Sequence, residues 1–169
     1  MMTLSAVRTL LEYNDWANGE VLAAAGGLTD RLLDRTFEMG MGSLRRTLLH
    51  ICNGETVWLR RWRGETETPW PSEAEIVEPR ELRERLGKHA IERDAYLSTL
   101  IDSDLLRDVT YRDSRGSLFS ASRGDMVLQG ITHSLHHRAQ AVNMLRQLGA
   151  GLVELDYMMH RRQPAQAER

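Results

Sequence analysis

Three of the chain's six histidines fall within five residues, at His133, His136 and His137. His133 and His137 are four residues apart. In an α-helix this spacing leaves them about 40° apart in angle and ~6 Å apart in rise, on one face. Two imidazoles so placed can hold one divalent ion, but they do not fill its coordination sphere. A third donor must come from another helix, and His50 is the best candidate. Its helical face also carries Thr47, Asn53, Gly54 and Val57; the facing stripe would carry Met126, Gly130, His133, His137, Gln140 and Met144. A glycine lies one turn from a histidine on each stripe, so a cavity between the two helices is expected. Three neutral imidazoles plus a water make an open site of the catalytic type. An ion there lowers the pKa of a bound water or thiol. The donor set suits zinc and nickel foremost, with iron and copper also compatible.

The remaining reactive residues are placed around this triad. His136 offers a competing pair with His133; beside His137 it is expected at the rim. His89 reads as a surface or packing residue and His160 as solvated. Cys52 is about 200° around the helix from His50 and is expected in the core rather than as a nucleophile. Arg61, three turns beyond His50 on roughly its face, could hold an anionic thiol or substrate, or be a solvated helix-end residue. Asp15, Glu55 and Asp125 are acids that could lie near a site, but no carboxylate pair is evident. The sequence has no His-Glu-x-x-His zinc motif, no paired Glu-x-x-His motifs, no phosphate-binding glycine loop and no Gly-x-Ser-x-Gly elbow.

These residues need long helices to position them. Val7, Leu11, Asn14, Asn18, Val21 and Ala25 recur every three or four residues, predicting a helix from about Thr3 to Ala25, stopped by Gly26 and Gly27. The two asparagines in that stripe are either buried and hydrogen-bonded or face a polar cleft. A second helix is predicted from Ser43, as N-cap, to Arg63 and Gly64, after a flexible stretch at Met39–Gly42. Pro69 and Pro71 make the segment from Gly64 to Glu78 a linker. A third helix begins at Pro79 and runs to about Ile101. Residues 109–120 read as a short hairpin or extended loop around Asp113, Ser114, Arg115 and Gly116. The last long helix opens at Ser122 with a capping-box-like start and ends at Leu148 before Gly149. One short helix is expected between Glu154 and His160. The expected fold is all-α: a four-helix bundle with a long crossover loop and a short β-hairpin before the last long helix. One domain is expected over residues 1–163, with 164–169 as a frayed tail.

At 169 residues the chain can enclose one core without covalent staples. A net charge of −2, with arginines interleaved among acids, argues against a nucleic-acid partner. No apolar run approaches the ~20 residues that span a bilayer, and the first residues lack the basic start of a signal peptide. A single cysteine excludes an intrachain disulfide, and a cytoplasmic location is expected.

Three segments resemble the DinB-like (DinB/YfiT) superfamily of metal-binding four-helix bundles. They are Tyr13-Asn14-Asp15-Trp16-Ala17-Asn18; Gly42 to His50 leading into Glu55 and Trp58; and His133-Ser134-Leu135-His136-His137-Arg138-Ala139-Gln140, followed by Met144 to Gly149. They span most of the chain in the family's order. The resemblance implies a divalent metal held by His50, His133 and His137, a small-molecule substrate and a homodimer. It implies either transfer of a low-molecular-weight thiol to an electrophile or metal-dependent hydrolysis, or else a non-catalytic stress-response bundle. Ala139 stands where the family usually has glycine, and the segment after Gly149 lacks the family's usual proline.

Overall fold

A computed structural model describes residues 2–162. The tail expected from residue 164 onward lies outside them. Four long helices carry the fold: α1 (Leu4–Ala25), α3 (Leu44–Trp62), α4 (Pro79–Leu97) and α5 (Arg123–Leu148). Between them lie a short α2 (Asp30–Leu33), a 3-10 turn (Asp102–Leu106) and a hairpin of β1 (Asp108–Arg112) and β2 (Leu118–Ser122); α6 (Tyr157–Arg161) follows. The hairpin is antiparallel, with Thr110 opposite Ser120.

The ends form where the local chemistry sets them. Thr3, Ser43 and Ser122 each accept a hydrogen bond from the backbone N–H three residues on, satisfying a donor that the first helical turn leaves open. Pro79 opens α4, where its missing N–H costs nothing. Gly149 ends α5 at φ +74°, a left-handed conformation that suits glycine. The third helix stops at Leu97 rather than Ile101, because the chain turns there to enter the 3-10 segment.

Around the bundle the order is α1, α4, α3, α5, with α3 against α5 as the most extensive contact. Sequential long helices α1 and α3 are therefore diagonal, as are α4 and α5, and the connections at 26–43 and 98–122 must cross an end of the bundle. The apolar core forms two clusters. One gathers Val21, Leu44, Leu48, Leu49, Met144 and Leu145; the other gathers Val7, Leu11, Trp58, Trp62, Met126 and Val127.

Between the two clusters runs a buried polar layer to which all four long helices contribute. Asn14 Nδ2 and Ser134 Oγ both donate to Glu55 Oε1 at 2.6 Å, and His89 Nε2 lies 3.6 Å from Glu55 Oε2. Arg138 Nη1 donates to Asn14 Oδ1 at 2.7 Å and Asn18 Oδ1 at 2.8 Å. The asparagines in the α1 stripe are thus buried and bonded. Burial by itself would raise the Glu55 pKa, but His89, Ser134 and Asn14 outweigh it and hold the carboxyl down at about 2. A charged carboxylate with three close polar neighbours is a tolerable thing to bury; an unpaired one is not.

Candidate metal centre

The side chains of His50, His133 and His137 converge in the groove between α3 and α5. Each offers a ring nitrogen, and those three nitrogens lie within 4.8 Å of one another. His50 Nε2 and His133 Nε2 are 3.1 Å apart. Ligands at 2.0–2.1 Å from a tetrahedral ion stand roughly 3.3 Å from each other, so the rings already hold close to a ligating geometry. The polar layer supplies the reason for the placement. Ser134 follows His133 and Glu55 follows Gly54, so the Ser134–Glu55 hydrogen bond fixes the register of α5 against α3 directly beside the triad.

Gly54 makes the approach possible. A Cβ there would sit 2.5 Å from His133 Cε1 and 2.7 Å from its Nδ1. The missing side chain therefore makes room for the ring from α5 rather than for His50 on its own helix. Gly130 has a different task from the one its spacing suggests. It packs on the aromatic core, where a Cβ would lie 3.1 Å from Trp62 Cζ2 and 3.3 Å from Trp58 Cβ.

The outer nitrogens of two rings are held by carboxyl and amide oxygens. His50 Nδ1 bonds Glu73, and Trp70 Nε1 donates to the same Glu73 oxygen at 2.6 Å. His137 Nδ1 donates to Gln140 Oε1 at 2.8 Å, and Gln140 Nε2 reaches His136 Nε2 at 3.1 Å. With Nδ1 engaged as donor, Nε2 of both rings keeps its lone pair for an ion. Burial, then the neighbouring His50 and His137, pushes the His133 pKa down to about 4; burial likewise lowers that of His137. Both rings are neutral and donor-ready at pH 7. His133 Nδ1 is buried with no hydrogen-bond partner. The Nε2 atoms of His50 and His133 come together at 3.1 Å while the outer nitrogens of His50 and His137 are bonded from behind, an arrangement of imidazole donors that fits a divalent transition ion.

His136 is exposed at the rim, edge-on to His137 with ring centroids 4.9 Å apart. Cys52 is buried in the core, where burial pushes its thiol up to about 11. His89 and Glu55 belong to the polar layer, Asp15 pairs with Arg93, and Asp125 accepts from Ser122 at the start of α5. Of the acids considered from sequence, only Glu55 adjoins the triad, through Ser134.

Trp70 and Glu73 come from the linker, where no helical spacing points to them. The Trp70 ring stacks near His50 and His133 at centroid distances of 4.8 and 5.7 Å. One signal was available: a tryptophan between two prolines in an otherwise polar segment is an aromatic with a fixed backbone and a partner to find. The glycine-rich stretch before α3 is a defined turn with Gly40 at φ +56°, packed against Thr47, Met144 and Gln140.

A family model described as "DinB family" matches residues 1–168. Protein DinB of Bacillus subtilis (strain 168) is 20% identical over 156 residues, covering 89% of this chain and 91% of that protein. A DinB-like protein from Bacillus cereus ATCC 10987 superposes with a TM-score of 0.69 at 21% identity, over 87% of this chain and 93% of that one. YfiT from Bacillus subtilis, described as a probable metal-dependent hydrolase with an unusual four-helix bundle topology, gives a TM-score of 0.67 at 16% identity, over 88% and 91%. With the family match running from end to end of the bundle and the helices in the same arrangement, the chain belongs to the DinB family.

Proposed function

We propose that this chain is a divalent-metal enzyme that joins a low-molecular-weight thiol to an electrophilic small molecule. The observation that carries the reading is the convergent three-histidine donor set, with His50 locked from behind by Glu73 and His137 by Gln140. When bound, a zinc or nickel ion supplies Lewis acidity that lowers the pKa of a small nucleophile beside it. Neutral ligands leave the ion's charge unreduced, which favours an anionic nucleophile. The chain's own thiol is remote and held protonated by burial, so the sulfur comes from a co-substrate. Trp70 forms one wall of the site, its ring packed against His50 and His133.

The alternative is hydrolysis, with water as the nucleophile. It is favoured by the description of the structurally similar YfiT. A panel of electrophilic and ester or amide substrates, assayed with zinc or nickel and with or without small thiols, separates the two. Turnover that requires added thiol supports transfer; turnover without thiol supports hydrolysis. The His137→Ala variant should lose metal by elemental analysis together with either activity. Full metal content in that variant would sink the ligand assignment.

A further inference from the structure

Between α3 and α4 the chain is fixed at two points and loose between them. Thr68 and Val77 are buried. Arg61, itself buried rather than solvated, donates from Nε to Thr68 Oγ1 at 2.9 Å, and Arg45 Nη1 donates to the Val77 carbonyl at 3.1 Å. Of residues 69–76, which lie between these anchors, Trp70 and Glu73 alone are not exposed. Ile76, beside the second anchor, is 80% exposed. No backbone group of residues 69–76 bonds another backbone group among the described residues. One further tie, from Glu75 to Arg85, is a half-exposed ion pair that contributes little. A segment with few buried contacts and a solvated backbone opens locally at low free energy.

Both inward residues of this strap meet the histidine triad. Glu73 Oε1 accepts from Trp70 Nε1 at 2.6 Å and bonds His50 Nδ1. The Trp70 ring packs against His50 and His133. Apart from the Glu75 pair, what ties the strap to the body of the protein is therefore what ties His50 in place. Pro69 and Pro71 restrict the backbone on both sides of Trp70, so the indole and Glu73 move together about hinges at Thr68 and Val77. Trp70 also lines a cleft of about 440 Å³ with Tyr111 and Gln129, which leaves space beside the ring.

We propose that residues 69–76 form a hinged strap that tightens on the triad when the three histidines are loaded with an ion and loosens when they are not. The coupling rests on the metal-enzyme reading; the hinged strap is a property of the linker alone. With the strap down, Glu73 holds His50 Nδ1 and makes the ring a better ligand; with the strap lifted, that hold is gone. An acceptor behind a ligating histidine raises metal affinity about 10–100-fold. Binding free energies are reciprocal, so loading of the triad tightens the strap by the same factor. Trp70 is one wall of the site, and that wall is firmly in place only in the loaded protein. Loading therefore precedes productive binding of the organic substrate.

The test follows solvent exchange of the Trp70 indole N–H by NMR in the full chain, with and without zinc. The indole N–H groups of Trp58 and Trp62 are buried and report opening of the whole fold. In metal-free protein the Trp70 N–H should exchange well ahead of both. Zinc should slow it about 10–100-fold. In Glu73→Gln most of that slowing should be lost. Ala74 is exposed, so Ala74→Gly removes no packed group and changes the freedom of the lifted strap. It should speed metal-free exchange at Trp70 about two- to fivefold, a response that a fixed wall does not give. Exchange at Trp70 as slow as at Trp58 and Trp62 overturns the strap. Zinc binding that His137→Ala abolishes by elemental analysis, with no slowing at Trp70, overturns the coupling and leaves the metal reading standing. If zinc does not bind, the metal reading and the coupling both fall. Fast exchange at Trp70 that responds to Ala74→Gly then supports the hinged strap alone.

Discussion

His50 illustrates how a ligand-type residue depends on what lies behind it. Its Nδ1 is held by Glu73, and Glu73 is in turn held by Trp70. A Glu73→Gln variant keeps the volume but weakens the hold and the ring's basicity. It should bind zinc about 10–100-fold more weakly in a chelator-competition titration, with an unchanged far-UV spectrum. Gly54 is the opposite case, a residue that acts by having no side chain. In Gly54→Ala the new methyl meets the His133 ring at 2.5 Å, and because both lie on packed helices, the ring must move. That variant should lose about 1–3 kcal/mol in urea unfolding and lose zinc affinity as well. Retention of wild-type zinc affinity would show that His133 is not held where the geometry requires.

At the scale of elements, the polar layer joins α1, α3, α4 and α5 at one level and sets the α3–α5 register on which the triad depends. Its centre is Glu55, whose folded pKa of about 2 lies below the ordinary 4.5. A depressed carboxyl stabilises the fold fully above its unfolded pKa, and that stabilisation is lost as pH falls toward the folded value. The window is therefore from about pH 4.5 down to about 2, and the contribution is on the order of 3 kcal/mol. Glu55→Gln should be less stable at pH 7 and should lose less on going from pH 6 to pH 3 than wild type, measured by urea unfolding at each pH. The linker between α3 and α4 is held at both ends. Arg60 bonds Glu65 near its start, and Arg45 bonds the Val77 carbonyl and Glu78 at its close. These anchors hold the linker across the site so that Trp70 and Glu73 reach His50.

For the whole molecule, an ion that binds only the folded chain must stabilise it by mass action. At a free zinc concentration 1,000-fold above the dissociation constant this amounts to about 4 kcal/mol, or roughly 8–16 °C in Tm for a chain of this size. Calorimetric scans with and without zinc should show that rise in wild type, and His137→Ala should show little of it. An equal rise in both would place the ion elsewhere. No described helix is long and apolar enough to cross a membrane. The fold agrees with that of DinB-like proteins near 20% identity, which the buried stripes and helix ends of a bundle permit because many sequences satisfy them.

Helix positions, the hairpin and the His133–His137 pair were legible in the chain itself, because periodicity, caps and i, i+4 spacing are local. Helix α5 opens at Ser122 and closes at Gly149 as its end residues dictate, and His133 and His137 share a face by helical geometry alone. Even the doubt over Asn14 and Asn18 was local in form: two polar residues in an apolar stripe need partners. Which partners they find depends on α3 and α5, far away in sequence. The same holds for Glu73, which reaches His50 across 23 residues of chain, for Gly54, whose neighbour is His133, and for Arg61, buried by a hairpin some 50 residues away. Local sequence determines which groups lie on a face. Only tertiary packing decides what meets that face, because hydrogen bonds, charge compensation and excluded volume act between elements whose register no single segment encodes.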